Sequence, residues 1–447
     1  MAITEAIANS FLSDPDKTSL DRKVSELAAP SLLPYLLVNC VVNLQGSKNL
    51  SLRERHSDSF LISPMFVGSS LVGYCETQLL EAADKSFRLS TAIAISAAAV
   101  SPNMGKYTNK LLVWVLSLMN FRLGYWIPNV IHLKKDALRV EAVIKTEQEK
   151  YISPRRIELD WTVENDSVKL AGLAFPGGGI RAATFCLGVC QALAEAKLIH
   201  LFDYFSTVSG GGYIGACIIS SCVDAKKPIS TRTTSQFSSE SLPSAWRPLP
   251  TLLIREMLSE LHEESAWLNL SDGGHIENLA VYELLQRRCK LIIVCNPEAD
   301  RANPNNGLGM LLRMAEISLG IKISIDTKQL EQSKKTKLCG RHWTIGSISY
   351  AGDPVDQPSG RLVMLRLSLT GDESPAIIEY GERSKLFPFE PTTDQFFSES
   401  QFEAYRLLGK HIGEDFAHEL FCQSFPNSPE AFFEGVNSYY EEHRGRT

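Results

Sequence analysis

The chain has 447 residues, 44% of them hydrophobic, and a formal net charge of −6. That length and apolar content allow a substantial core, in one elaborated α/β domain or in two or three smaller ones. The acidic balance argues against broad nucleic-acid binding and supplies no general pull toward anionic membranes.

Residues 1–28 are polar enough to fray, and the opening Met1 to Ile7 lacks the basic and apolar parts of a signal peptide. Leu89 to Gly105 is a run of small residues, written Leu-Ser-Thr-Ala-Ile-Ala-Ile-Ser-Ala-Ala-Ala-Val-Ser-Pro-Asn-Met-Gly. Leu111 to Met119 is the longest strongly apolar helix candidate, but Asn120 and Arg122 end it short of the ~20 residues of a membrane span. It reads as a core helix or as an interfacial surface continuing into Phe121, Tyr125 and Trp126. Residues 131–165 are charged and mixed, a candidate connector, with 1–130 forming a helical, small-residue block before it.

Val168 to Phe175 is an apolar run that predicts a buried strand. Pro176-Gly177-Gly178-Gly179-Ile180-Arg181 follows, and Ala182 to Ala196 has helical spacing. Strand, three glycines and helix is a geometry in which backbone amides converge on negative charge at a helix N-terminus. The alternative is a tight turn and nothing more. Phe202 to Val208 predicts a second strand, and Tyr213 to Ile219 a buried helix. Between them lies Thr207-Val208-Ser209-Gly210-Gly211-Gly212, the layout of a nucleophile elbow with Thr207 at the first glycine position. Residues 166–223 thus form an oxyanion-loop and nucleophile block, and the Ser/Thr/Pro-rich residues 224–250 a linker.

Residues 251–447 carry the third motif, Asp272-Gly273-Gly274. Asp272 reads either as an Asx-turn residue or as a general base for Ser209. His275 offers a Ser-His-Asp alternative, disfavoured because it sits on the same turn as the aspartate. Further strands are expected at Cys289 to Cys295, of the buried parallel type, and at Leu362 to Leu367, with a helix over Tyr282 to Arg288. Repeated strand–helix alternation indicates an α/β fold with a mainly parallel sheet covered by helices. His262-Glu263-Glu264 has no matching His pair and reads as a solvated helix face; Glu379 to Arg383 reads as surface loop. Ten cysteines lack metal spacing and read as buried thiols of a reducing, cytoplasmic compartment.

Taken together, Gly177-Gly178-Gly179-x-Arg181, the serine in Thr-Val-Ser-Gly-Gly-Gly, and Asp272-Gly273-Gly274 resemble the patatin-like phospholipases, relatives of the cytosolic phospholipase A group. The stretches 202–215, 270–285 and 393–403 are similar to a large bacterial branch. The resemblance implies that Ser209 is the nucleophile, Asp272 its dyad partner, Gly177 to Gly179 the oxyanion hole and Arg181 a brace for that loop. It implies a phospholipid or other acyl-ester lipid as substrate, with peripheral membrane contact, no metal and no cofactor. The relatives carry the small-residue block between serine and aspartate, whereas here it precedes both, so altered connectivity is expected. Two readings of another class stand beside this one. A dinucleotide-binding protein would need a third glycine where Ala182 stands. A catalytically silent lipid-binding or scaffold protein would have its dyad disassembled.

Overall fold

A single mixed sheet of twelve strands organises the chain, in the order β10-β11-β12-β9-β6-β7-β1-β2-β3-β4, with β8 pairing β1 and β5 pairing β8. The computed structural model describes residues 22–28, 32–49, 52, 55–99, 124–133, 137–161, 168–225, 258, 260–298, 305–354, 357–421 and 424–444. The expected helix at 111–119, most of the 224–250 linker and the extreme termini lie outside the described residues.

In chain order the elements begin with β1 (Tyr35–Asn43), β2 (Ser57–Ile62), β3 (Phe66–Ser69), β4 (Gly73–Glu76), α1 (Thr77–Ala83), α2 (Leu89–Ser96) and β5 (Tyr125–Pro128). Next come α3 (Val130–Leu133), α4 (Val140–Glu147), α5 (Ser153–Glu158), β6 (Ala171–Phe175), α6 (Gly179–Glu195), β7 (Tyr204–Val208) and α7 (Gly210–Ala225). The second half holds β8 (Trp267–Asp272), α8 (Tyr282–Gln286), β9 (Leu291–Asn296), α9 (Asn306–Met314) and β10 (Lys322–Ser324). It closes with β11 (Trp343–Ser349), β12 (Gly360–Arg366), α10 (Pro375–Arg383), α11 (Glu399–Phe421) and α12 (Pro429–His443).

The five central strands β12, β9, β6, β7 and β1 are parallel and buried along their whole length, as strands covered on both faces are. Pairing turns antiparallel at both edges, at β11 and β10 on one side and β2 to β4 on the other. The parallel character expected from the sequence therefore belongs to the core of the sheet and not to its margins.

Helix α11 lies across α6 at very close range. A Cβ on Gly188 would stand 1.9 Å from the Arg406 carbonyl oxygen, and one on Gly409 2.1 Å from that of Phe185. Glycine at both crossing points is what lets the two backbones touch.

Four expectations are corrected. The first 130 residues, read as helical, supply five strands, including the fully buried β1. The presumed connector at 131–165 is a packed helical arm. Its Arg156 donates to both Asp203 oxygens at 2.8 and 2.7 Å, and its Glu147 accepts from Arg287 at 2.8 and 3.0 Å. Asp203 in turn accepts the Ala171 N–H at 2.9 Å, so this arm fixes where β6 and β7 begin. Glu379 to Arg383 ends the amphipathic helix α10, whose Ile377 and Tyr380 are buried, while His262-Glu263-Glu264 lies in a turn and not on a helix.

Candidate active site

β7 ends at Val208, and Ser209 follows it with φ of 50°, in the left-handed region where a non-glycine residue is strained. This is the sharp strand-to-helix turn expected of an elbow. The glycines after it have a steric reason. A Cβ on Gly210 would meet the backbone oxygen and nitrogen of Gly179 at 2.1 and 2.6 Å, and one on Gly211 the Phe175 oxygen at 2.0 Å. The start of α7 is thus pressed against the glycine loop that leaves β6. Thr207 replaces the usual first glycine while remaining in the strand, and its methyl group is accommodated because residue 215 is a glycine, where a Cβ would lie 2.5 Å from it.

β8 runs antiparallel to β1 and delivers Asp272 from the opposite direction. Along β1, Asn39 is paired with Val208 of β7, and the next residue, Cys40, with Asp272 of β8. One strand therefore sets both ends of the dyad in register. The Ser209 hydroxyl donates to Asp272 Oδ2 at 2.9 Å, while Oδ1 accepts the Gly274 N–H at 2.7 Å. The Asx turn and the serine contact use different oxygens, so the turn leaves Oδ2 to the serine. Asp272 is buried, and desolvation pushes its carboxyl up from the ordinary value against the opposing effects of His275, the Gly274 amide and the Ser209 hydroxyl.

The small-residue block closes the back of this corner. Ser96, the last residue of α2, accepts the Ser209 N–H at 3.0 Å and donates its own hydroxyl to the Asn39 carbonyl at 2.6 Å. The Ala98 carbonyl accepts the Asp272 N–H at 3.4 Å. Asn39 also donates to Ser206 Oγ and the Thr207 carbonyl, both at 2.9 Å. Sequence reasoning noticed the small-residue block but missed Ser96 and Asn39 as individuals. A polar Asn inside the apolar run Tyr35 to Val42 was the available signal, since a buried polar side chain needs a partner.

Gly178 and Gly179 have φ of 142° and 60°, conformations that favour glycine. The three glycines are not equivalent. Gly177 donates its N–H to the Asn278 carbonyl at 2.9 Å. Gly178 and Gly179, at the start of α6, have no acceptor within the helix for their N–H groups. Gly210, opening α7 against Gly179, is a further candidate donor that the motif reading did not single out. Arg181 is buried and braces the loop from behind. It donates to the Pro297 carbonyl and Thr392 Oγ1, each at 3.1 Å, and to the Glu390 carbonyl, tying α6 to the end of β9 and to the C-terminal segment.

His275 contacts Ser271 Oγ at 3.2 Å and the Ala99 carbonyl at 3.1 Å, and Asp272 accepts directly from Ser209, so the imidazole does not stand between serine and aspartate. Around the mouth, Tyr213 is half-exposed, and Phe396 is 95% exposed beside Gln395, whose side chain lies over Gly179.

A serine on a strained turn, a buried carboxylate accepting from its hydroxyl and a glycine-opened helix start meet at one corner of the α/β sheet, and these are the kinds of group that serine acyl transfer uses. The family model of patatin-like phospholipases matches residues 173–285, which run from β6 through Ser209 and Asp272 to α8. The chain thus carries a patatin-like phospholipase domain, of a family of lipid acyl hydrolases. No curated protein matches the chain. β1, Asn39 and Ser96 lie upstream of the matched residues.

Replacing Ser96 by Ala leaves the Ser209 N–H without its acceptor in a part-buried corner. We expect a loss of about 1–3 kcal/mol in denaturant-unfolding stability, with slower ester turnover in the folded protein. Wild-type stability and turnover in Ser96→Ala would remove it from the positioning of the serine.

Proposed function

We propose that the protein hydrolyses carboxylic esters of phospholipids or related lipids through a Ser209–Asp272 dyad. The observation that carries this reading is the 2.9 Å hydrogen bond from Ser209 Oγ to Asp272 Oδ2. Ser209 attacks the ester carbonyl as Asp272 takes its proton. The amides of Gly178 and Gly179, with Gly210, receive the oxyanion. Asp272 then returns the proton to the leaving alcohol, which departs and leaves an acyl-serine. Water, deprotonated by the same carboxylate, releases the fatty acid. Each oxyanion donor is worth about 3 kcal/mol of transition-state stabilisation.

The pushed-up carboxyl suits this role, because general bases work best with a pKa nearer the operating pH. A lipid substrate is supported by the family and by the water-exposed Phe396 beside the glycine loop, which favours peripheral contact with a lipid surface. Among the described residues no helix is long and apolar enough to cross a membrane, so such contact would be made from one side.

Ser209→Ala and Asp272→Asn should each reduce hydrolysis of p-nitrophenyl acyl esters and phospholipid vesicles to background, while circular dichroism shows an intact fold. Full turnover in either variant would reject the dyad; loss on vesicles alone would reject it as the general ester centre.

Turnover requires the Asp272 carboxylate, and its folded-state pKa is raised, so activity disappears as pH falls through a value above the ordinary one. The acidic limb of kcat/KM should therefore lie above roughly pH 4, the usual aspartate midpoint. A limb at or below that value would contradict Asp272 as the base.

A further inference from the structure

A second cluster lies three strands from β7, where β12 leaves the sheet beneath α11. One ligand atom from each of His342, Asp372 and His411 lies within 4.8 Å of the other two. His342 immediately precedes β11, Asp372 is on the loop after β12, and His411 is on α11, so three elements distant in sequence converge there. Asp372 Oδ1 is 3.3 Å from His411 Nε2 and 3.8 Å from His342 Nε2. Two ligand atoms about 2.0–2.1 Å from a tetrahedral zinc ion stand about 3.3 Å apart.

The polar groups around His342 are the second observation. The Ser368 hydroxyl lies 3.0 Å from His342 Nδ1 and 3.1 Å from the Arg366 carbonyl. His342 Nε2 is 2.9 Å from the Thr370 hydroxyl, which is also bonded to Asp372 Oδ1. Glu373 Oε1, 4.0 Å from the same Nε2, is already taken by the Thr370 N–H at 2.6 Å.

We propose that His342, Asp372 and His411 bind a zinc-class divalent cation, with water in the fourth position. A borderline metal is favoured over magnesium or calcium because two of the three donors are imidazole nitrogens. The Nδ1–Ser368 bond is the kind of outer contact that orients a metal-binding histidine. Bound there, the cation would clip α11 to the β12 exit loop. Because α11 packs on α6, whose first turn carries the oxyanion glycines, the clip would steady the platform of the ester site without taking part in its chemistry.

The test is titration of the chelator-treated full-length protein with Zn²⁺ alone by calorimetry, repeated with Co²⁺ and followed by visible absorption. The expected result is one site per chain, a tetrahedral cobalt spectrum, and affinity weakened at least about 100-fold in His411→Ala and Asp372→Ala, since even outer partners are worth about 10- to 100-fold. Asp372 is exposed, so Asp372→Ala keeps the test valid should the histidine variant fold poorly. No saturable binding by the wild type, or unchanged affinity in the two variants, would overturn the proposal. Ester hydrolysis by Ser209 stands or falls separately.

Discussion

Everything at the candidate site depends on the register of β1. The strand is nine residues long and fully buried, and it carries parallel β7 along its first half. Antiparallel β8 continues beside its second half. The two chains end almost head to head, one with Ser209 and the other with Asp272, opposite neighbouring residues of β1. A slip of one residue in either pairing would turn the side chains to the other face of the sheet and separate the dyad. Asn39 pins this register, because its side chain reaches Ser206 and Thr207 while its carbonyl holds Ser96. A short chain of hydrogen bonds thus connects the strand that sets the geometry to the amide of the strained serine.

That arrangement also accounts for a chain order that looks disassembled on paper. The small-residue block precedes the serine motif, yet α2 and the residues after it contact both Ser209 and Asp272. A sheet is assembled by lateral pairing and not by sequence order, so a strand and a short helix from the N-terminal part can occupy the centre. The arm at 131–165 shares in this, since Arg156 and Asp203 anchor the start of the same strands whose ends carry the site.

The parts of the site legible in the sequence were those with a local steric cause. Gly178, Gly179, Gly210 and Gly211 are glycines because the backbone angle or the nearest backbone atom excludes a side chain, and such demands leave a readable motif. Strands β6, β7, β9 and β12 were legible as continuous apolar runs, as were helices α6 and α7 from their spacing. What escaped was non-local. The pairing of β1 with β7 and β8 depends on chain segments far apart, and the hydroxyl of Ser96 acquires its meaning only from that pairing. The role of Gly177 could not be distinguished from its neighbours, because its N–H is claimed by Asn278, about which the glycine motif says nothing. Charged residues misled in both directions: Glu379 to Arg383 forms the last turns of a helix with Tyr380 buried, and Glu147 and Arg156 of the arm make buried ion pairs with Arg287 and Asp203.

The central claim is that Ser209 is an activated nucleophile. Its most direct test is reaction of the native protein with a fluorophosphonate probe, followed by mass spectrometry of the labelled peptide. The account predicts stoichiometric labelling on Ser209 that Asp272→Asn greatly slows. Label on another residue, or none on a protein that hydrolyses esters, would contradict it.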